Sequence, residues 1–218
     1  MIKMFEQFIN EEEIHRLCRE YNIIKYSINS DGSIDVDGNV FITNTNLTKL
    51  PLKFNKVSGI FDCSDNLLTT LEDCPKEVGS DFNCVYNNLE TLKGGPEFVY
   101  GYYKCSGNKL ESLKHSPLRI EKSLFCENNN IKTLEGFPMI IKWSLNLRNN
   151  PISIIDESIK VGATIYLENT NIDEDIQKMS NLWKQLVFEH GLEYDIYDKD
   201  GLLNRNRLLK LLKDFKEL

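Results

Sequence analysis

Four cysteines lie 21 residues apart and offer this chain its most reactive side chains: Cys63, Cys84, Cys105 and Cys126. Four thiolates can hold a tetrahedral zinc ion, and two neighbouring thiols can form a disulfide. Zinc needs four sulfur atoms at one point, whereas equal spacing places them along a line, about 4.8 Å apart on successive strands. The spacing therefore favours small, buried core residues, and we expect no metal and no cofactor.

Other catalytic groups are sparse in this sequence. Its three histidines, His15, His115 and His190, lie in separate parts of the chain, which leaves little material for a histidine-based triad or metal centre. No glycine-rich phosphate loop with a lysine follows a strand pattern. We expect a protein that is not an enzyme.

The residues around each cysteine repeat with it. The cysteine position recurs seven times, with an aliphatic residue in the outer copies, at Ile42, Cys63, Cys84, Cys105, Cys126, Leu147 and Leu167. The residue two positions earlier is apolar in every copy: Val40, Phe61, Phe82, Tyr103, Leu124, Leu145 and Ile165. Six positions earlier stand Val or Ile, and five and eight positions later stand Leu or Ile. The sequence therefore predicts a solenoid of stacked coils.

A period of two places the cysteine position and the apolar residue before it on one side of a short strand, facing the core. The residue three positions after the cysteine is asparagine in five copies: Asn66, Asn87, Asn108, Asn129 and Asn150. An amide at the bend that leaves each strand can donate to, and accept from, backbone groups that no ladder satisfies. We predict an inward asparagine ladder.

The string from Phe61 to Leu71 (FDCSDNLLTTL) resembles the leucine-rich repeat. The resemblance covers residues 34–176. Short units with proline in the returning segment look like the repeats of bacterial effector and phage-encoded members. The resemblance implies an α/β leucine-rich repeat solenoid of about seven coils, with parallel strands on a concave face and an extended convex side.

Both ends of the chain leave the repeat pattern, and we expect them to cap the solenoid. Residues 1–33 predict an N-terminal cap: a helix that begins after Asn10, then a hairpin around Asp31 and Gly32. Residues 177–218 predict a helical C-terminal cap. One helix runs from about Asp173 to Gly191 and a second from about Asn204 to Leu218, which either packs on the solenoid or binds a partner.

Composition bounds the cellular role. The net charge of −7 disfavours general nucleic-acid binding, which needs several cations to neutralise phosphates. The first ten residues lack the features of a secretory signal, and no apolar run is long enough to span a bilayer. We expect a cytoplasmic protein without nucleic-acid or membrane partners, while signal-independent export stays open.

Function is expected on the outward strand positions, which vary between coils where the inward ones do not. Exposed aromatic and charged residues there are of the types that anchor protein interfaces. The resemblance implies recognition through the same face. The expected function is non-enzymatic binding of a partner protein, whose identity the sequence does not give, through these residues: Tyr86, Tyr102, Lys104, Phe125, Glu127, Asn146, Arg148 and Tyr166.

Two alternative functions stay open at this stage. The protein could be a phage or bacterial inhibitor that occludes a host or defence enzyme, or a structural protein that assembles through its ends. Some effectors that resemble these repeats carry a ubiquitin-ligase domain with a catalytic cysteine. About 40 residues follow the last coil here and none is cysteine, which argues against that enzyme.

Overall fold

A computed structural model describes residues 10–215, and these form a solenoid of stacked parallel strands with about six turns. Seven two-residue strands pair in register as one sheet, the front sheet. They are β3 (Val40–Phe41), β5 (Phe61–Asp62), β7 (Phe82–Asn83), β9 (Tyr103–Lys104), β11 (Leu124–Phe125), β13 (Leu145–Asn146) and β15 (Ile165–Tyr166).

A second series of strands, the back strands, precedes the front strands by a few residues in each coil. They are β2 (Ile34–Val36), β4 (Phe54–Val57), β6 (Glu77–Val78), β8 (Phe98–Val99), β10 (Arg119–Ile120), β12 (Ile140–Ile141) and β14 (Lys160–Val161). The sequence predicted only β2, as the second arm of the hairpin, although the Val or Ile six positions before each cysteine position marks all of these strands. No helix lies in residues 37–173, so the segments between the strands of these coils consist of bends, turns and irregular structure.

The back strands form two separate sheets. Strands β2, β4, β6 and β8 pair in one, β10, β12 and β14 pair in the other, and β8 does not pair with β10. The front sheet is continuous across this point, because β9 pairs with β11. The stack is therefore joined along the front and interrupted once along the back within the described residues.

The core follows the predicted columns. Residues at the cysteine position and two positions before it are fully or almost fully buried in every coil. Aromatic rings from Phe61, Phe82 and Tyr103 form a column, with centroids 6.0 Å and 5.1 Å apart, which Leu124 and Leu145 continue as aliphatic side chains. A single coil would leave the apolar edges of these side chains exposed, and the neighbouring coils cover them.

The inward asparagine ladder is confirmed. In each of the five copies the side-chain nitrogen donates to the carbonyl at the cysteine position of its own coil and of the preceding coil. The side-chain oxygen accepts an amide N–H from the preceding coil. Each asparagine therefore joins two coils through backbone groups that the sheets leave unpaired.

The N-terminal elements match the prediction. Helix α1 (Glu11–Glu20) begins after Asn10, whose side-chain oxygen accepts the N–H of Glu13 at 2.8 Å. The helix buries Ile14, Leu17 and Cys18 against the core. Strand β1 (Tyr26–Ile28) then pairs antiparallel with β2, which joins this segment to the first back sheet. Residues 1–9 lie outside the described part.

The C-terminal region differs from the single helix expected between Asp173 and Gly191. Two helices are present, α2 (Glu174–Gln177) and α3 (Asn181–His190). Ser180 interrupts them because its backbone is extended, with φ −62° and ψ 159°. Helix α3 packs on β14 and β15 with Val187 and Phe188 buried, and Gly191 ends it as predicted.

The last helix, α4 (Arg205–Asp214), begins after Asn204 as predicted and packs on α3. It buries Leu208 and Leu211, and its expected extension to Leu218 lies outside the described residues beyond Phe215. Within residues 10–215, none of the helices combines the length and the apolar character that crossing a bilayer requires.

Candidate functional site

The eight residues predicted for partner binding all lie on or beside the front sheet. Lys104, Phe125, Asn146 and Tyr166 occupy strand positions that point away from the core column, and the others lie at the strand ends. The structure brings Tyr102, Lys104 and Phe125 into one group and Arg148 and Tyr166 into another, and it leaves Tyr86, Glu127 and Asn146 outside both groups. We call this outward side of the sheet the front face.

The first group is an aromatic cluster of Tyr102, Phe125 and Trp143. The Tyr102 ring lies 5.9 Å from the ring of Phe125 and 5.9 Å from that of Trp143, in tilted and edge-on arrangements. Two ammonium groups lie over Tyr102, that of Lys122 at 4.7 Å and that of Lys104 at 5.5 Å. These distances are within cation–π range, so the cluster combines flat apolar surface with positive charge.

Asp81 fixes the backbone under this cluster. Its Oδ1 accepts the N–H of Tyr102 at 2.9 Å and lies 3.9 Å from the ammonium of Lys122. Gly101 allows this approach, because a side chain there would collide with Asp81 and with the backbone of Ser80. Asp81 therefore fixes the backbone of Tyr102, the central residue of the aromatic cluster, and pairs with the lysine that lies over its ring.

The second group consists of Arg148, Tyr166 and Glu168. The Arg148 guanidinium donates two hydrogen bonds to the Glu168 carboxylate, at 2.6 Å and 3.1 Å, and lies 4.3 Å from the centre of the Tyr166 ring. The hydrogen bond from Arg148 lowers the pKa of Glu168 to about 2 and, in return, raises the pKa of Arg148. The Glu168 carboxylate therefore holds the planar guanidinium of Arg148 over the ring of Tyr166.

Glu127 and Asn146 belong to neither group, and both bury polar side-chain atoms. Glu127 keeps one carboxylate oxygen, Oε2, buried without a hydrogen-bond partner among the described residues. Asn146 lies in the outward row, but only 8% of its surface is exposed, and its Oδ1 accepts the N–H of Arg148 at 3.2 Å. Asn146 thus shapes the backbone beneath Arg148, contrary to the exposed position expected from the sequence.

Tyr86 has an unusual backbone conformation. Two positions after the cysteine position, all seven coils adopt positive φ, and the residues are Asn44, Asp65, Tyr86, Gly107, Asn128, Asn149 and Asn169. Asn, Asp and Gly tolerate this left-handed conformation, whereas a bulky aromatic residue there is a true outlier. Tyr86 has a φ of 52° and is 60% exposed, and its ring lies where a side chain at Gly107 would otherwise be.

Sequence reasoning missed Trp143 and Lys122 as members of the aromatic cluster. Both lie four positions before the cysteine position, where the earlier coils have Gly38, Gly59, Ser80 and Gly101. The change from small residues to a lysine and a 48% exposed tryptophan is the signal that could have found them. This change becomes visible only when the repeats are aligned at the position four residues before the cysteine position, which lies in the bend before the front strand and outside the period-two pattern.

The cysteines are placed as core residues, as predicted. All six are free and buried, and the Sγ of Cys84 lies 3.5 Å from the carbonyl of Lys104 in the next coil. Burial raises the pKa of the Cys84, Cys105 and Cys126 thiols. Within residues 10–215, no group of three or more His, Cys, Asp or Glu side chains is arranged to hold a metal ion.

No protein-family model, no curated protein and no solved structure matches this chain.

Proposed function

We propose that this protein is a non-enzymatic, cytoplasmic recognition module of the leucine-rich repeat type, which binds a partner protein through its front face. In this proposal the front sheet forms the concave side of the solenoid, and the terminal helices cap its two ends. The aromatic cluster and the Arg148 group are the main points of contact. Interfaces are enriched in tyrosine, tryptophan and arginine of this kind.

The observation that carries the proposal is the conformation of Tyr86. Holding a tyrosine in the left-handed region costs about 1 to 2 kcal/mol relative to a residue that tolerates it. The other coils have Asn, Asp or Gly at this row, and 60% of the Tyr86 surface is exposed, so core packing does not require the ring. Strain of this sort is retained where function depends on it.

The aromatic cluster adds a second reason. Its rings and two lysine ammonium groups form an apolar surface with a positive rim, while the protein as a whole carries a net charge of −7. A partner surface with an acidic and an apolar side chain side by side would match it. We therefore expect an acidic patch on the partner.

The test begins with affinity purification from the native host, and the partner so identified is then purified for direct binding measurements. Replacing Tyr102 and Phe125 together by alanine should weaken binding at least thirtyfold, the effect of losing about 2 kcal/mol at an interface hot spot. Tyr86→Asn should also weaken binding, while it raises the unfolding midpoint, because it restores a residue suited to the row.

Leu202→Ala supplies the matched control, since Leu202 is an exposed apolar residue of the C-terminal region. It should leave the affinity unchanged. Equal affinities for the wild type and both front-face variants would refute the proposal. Concentration-dependent oligomers in light scattering, without any partner, would instead favour the assembly function.

A further inference from the structure

The interruption between β8 and β10 leaves backbone groups without partners. In the first of two series, each coil donates an N–H to the carbonyl one repeat earlier: Lys76 to Asn55, Glu97 to Lys76, Met139 to Leu118 and Lys160 to Met139. The bond from Leu118 to Glu97 that would complete this series is absent within the described residues.

The second series shows the same omission. Gly79 donates to Val57, Tyr100 to Val78, Lys142 to Ile120 and Gly162 to Ile141. The bond from Glu121 to Val99 is absent from the described part of the chain. The carbonyls of Glu97 and Val99 and the N–H groups of Leu118 and Glu121 are thus free on opposite sides of one interruption.

A cavity of about 430 Å³ occupies this interruption, and all four of these residues line it. We call it the back groove. Phe98, Tyr100 and Leu118 also line it, and each is more than half exposed, with Leu118 at 74%. Exposed apolar side chains therefore flank strand edges whose hydrogen-bonding groups are unused, and such an edge is a template for another strand.

Charged side chains also line the back groove. Arg119 forms an ion pair with Glu121, which also pairs with Lys142, so the Glu121 carboxylate is paired within the protein. Glu97 forms no ion pair with any described residue. The groove therefore presents one unmatched carboxylate, which a cation of an incoming ligand could pair with.

We propose that the back groove binds an extended peptide segment of a partner protein, with apolar side chains at alternate positions and a Lys or Arg that faces Glu97. The peptide backbone would accept from the N–H groups of Leu118 and Glu121 and donate to the carbonyls of Glu97 and Val99, as in strand addition. Its alternate side chains would cover Phe98, Tyr100 and Leu118. This site is separate from the front face.

The ligand chemistry follows from the backbone groups. A small apolar molecule could cover the apolar walls, but it would leave four hydrogen-bonding groups unpaired and bring no cation to Glu97. An extended peptide satisfies all three features at once, because it has donors and acceptors along both edges.

The experiment uses the full-length protein and an immobilised library of capped heptapeptides with apolar residues at alternate positions. One half of the library has lysine at the central position and the other half has glutamate. We expect enrichment from the lysine half only. N-methylation of backbone nitrogens in an enriched peptide should weaken binding at least tenfold, because it removes the strand hydrogen bonds without changing the side chains.

Protein variants locate the binding site. Leu118→Ala should weaken peptide binding at least tenfold, whereas Met139→Ala, the exposed residue at the same position one coil later and outside the groove, should not change it. Glu97→Lys should shift enrichment to the glutamate half. The Tyr102→Ala/Phe125→Ala variant should keep full peptide affinity, so that this result is independent of front-face binding.

Several results would overturn the proposal. Failure of both library halves to give binders would show that the interruption is a packing feature only. Peptides that bind equally well after N-methylation would indicate a pocket for apolar groups without strand addition. A dimer in light scattering that Leu118→Ala abolishes would show that a second copy of this chain covers the groove.

Discussion

Replacement of Asn108 by alanine tests the physical basis of the solenoid most directly. The Asn108 Oδ1 accepts the N–H of Leu89 at 3.0 Å, and its Nδ2 donates to the carbonyls of Cys84, Cys105 and Ser106 at 3.0, 3.1 and 3.4 Å. All these contacts are within or between coils in the buried interior. Asn108 therefore joins two coils where neither sheet reaches.

The cost can be worked out group by group. The Cys84 carbonyl would keep the side chain of Asn87, the Cys105 carbonyl would keep that of Asn129, and the Ser106 carbonyl would keep the N–H of Tyr86. Only the Leu89 N–H would lose its partner. A buried unpaired donor costs about 1 to 3 kcal/mol, and we expect the free energy of unfolding to fall by that amount.

Chemical denaturation followed by circular dichroism measures this difference. Asn130→Ala is the matched control, because Asn130 is exposed, lies next to the ladder residue Asn129 and has no side-chain hydrogen bond within the described residues. The control should change stability by less than about 0.5 kcal/mol. Equal denaturation midpoints for the two variants would refute the claim that the asparagine ladder satisfies buried backbone.

Three further predictions follow from buried or paired groups. Tyr103→Phe should raise the unfolding free energy by about 1 to 3 kcal/mol in denaturant titrations, because the buried Tyr103 hydroxyl has no partner among the described residues; a loss of stability would contradict this. Cys84 and Cys105 should resist alkylation by iodoacetamide in the native protein and react quickly after unfolding, because both are buried. Mass spectrometry measures the number of alkylated thiols over time, and equal alkylation rates in the native and unfolded protein would contradict their burial. The Glu168 carboxyl should titrate near pH 2 in NMR and nearer 4.5 in Arg148→Gln; an unchanged midpoint would contradict the pairing.

The sign of the Glu168 effect on stability follows from its lowered pKa. Its contribution is fully present above about pH 4.5 and is lost as the pH falls towards 2, because the folded state then loses a favoured carboxylate. More than half of the Glu168 side chain is exposed, so solvent screening keeps the contribution below about 1 kcal/mol. Its main consequence is the fixed position of Arg148.

The repeat columns predicted the interior because inward positions face the same constraint in every coil. The cysteine position and the residue two positions before it face the core in every coil, and the ladder asparagines satisfy equivalent backbone groups. Repetition within one chain therefore substitutes for an alignment of many chains at these rows. Helix α1 was equally predictable, because its start depends on a local contact: the side-chain oxygen of Asn10 accepts the N–H of Glu13, three residues later.

The front face was only partly predictable, because outward positions carry no repeated constraint. Period-two alternation places Asn146 on the outward side of its strand. Alternation does not predict whether neighbouring residues cover such a side chain, and Asn146 is buried. Trp143 lies at a bend, where the strand period does not apply, so its contact with Tyr102 depended on how the coils turn. The break between α2 and α3 likewise depends on the backbone of Ser180, within an apolar pattern that one helix would also fit.

The interruption behind the back groove has a physical explanation in the same columns. Phe61, Phe82 and Tyr103 occupy the aromatic column up to the coil of β8, and Leu124 replaces them in the coil of β10. The segments that lead into these two strands carry the small residues Gly95 and Ser116, where the neighbouring coils carry Cys74 and Phe137.

Interiors are packed to high density, so adjacent coils stay parallel on both sides only when they enclose similar volumes in similar places. The hydroxyl of Tyr103 reaches under Gly95, 3.7 Å from where a Cβ would stand, which moves volume in that coil from the return segment to the front strand. The next coil has neither the ring nor the glycine. The front sheet stays continuous, because β9 and β11 still pair. The difference in volume therefore separates the coils on the back side, where β8 and β10 do not pair and their edges are free.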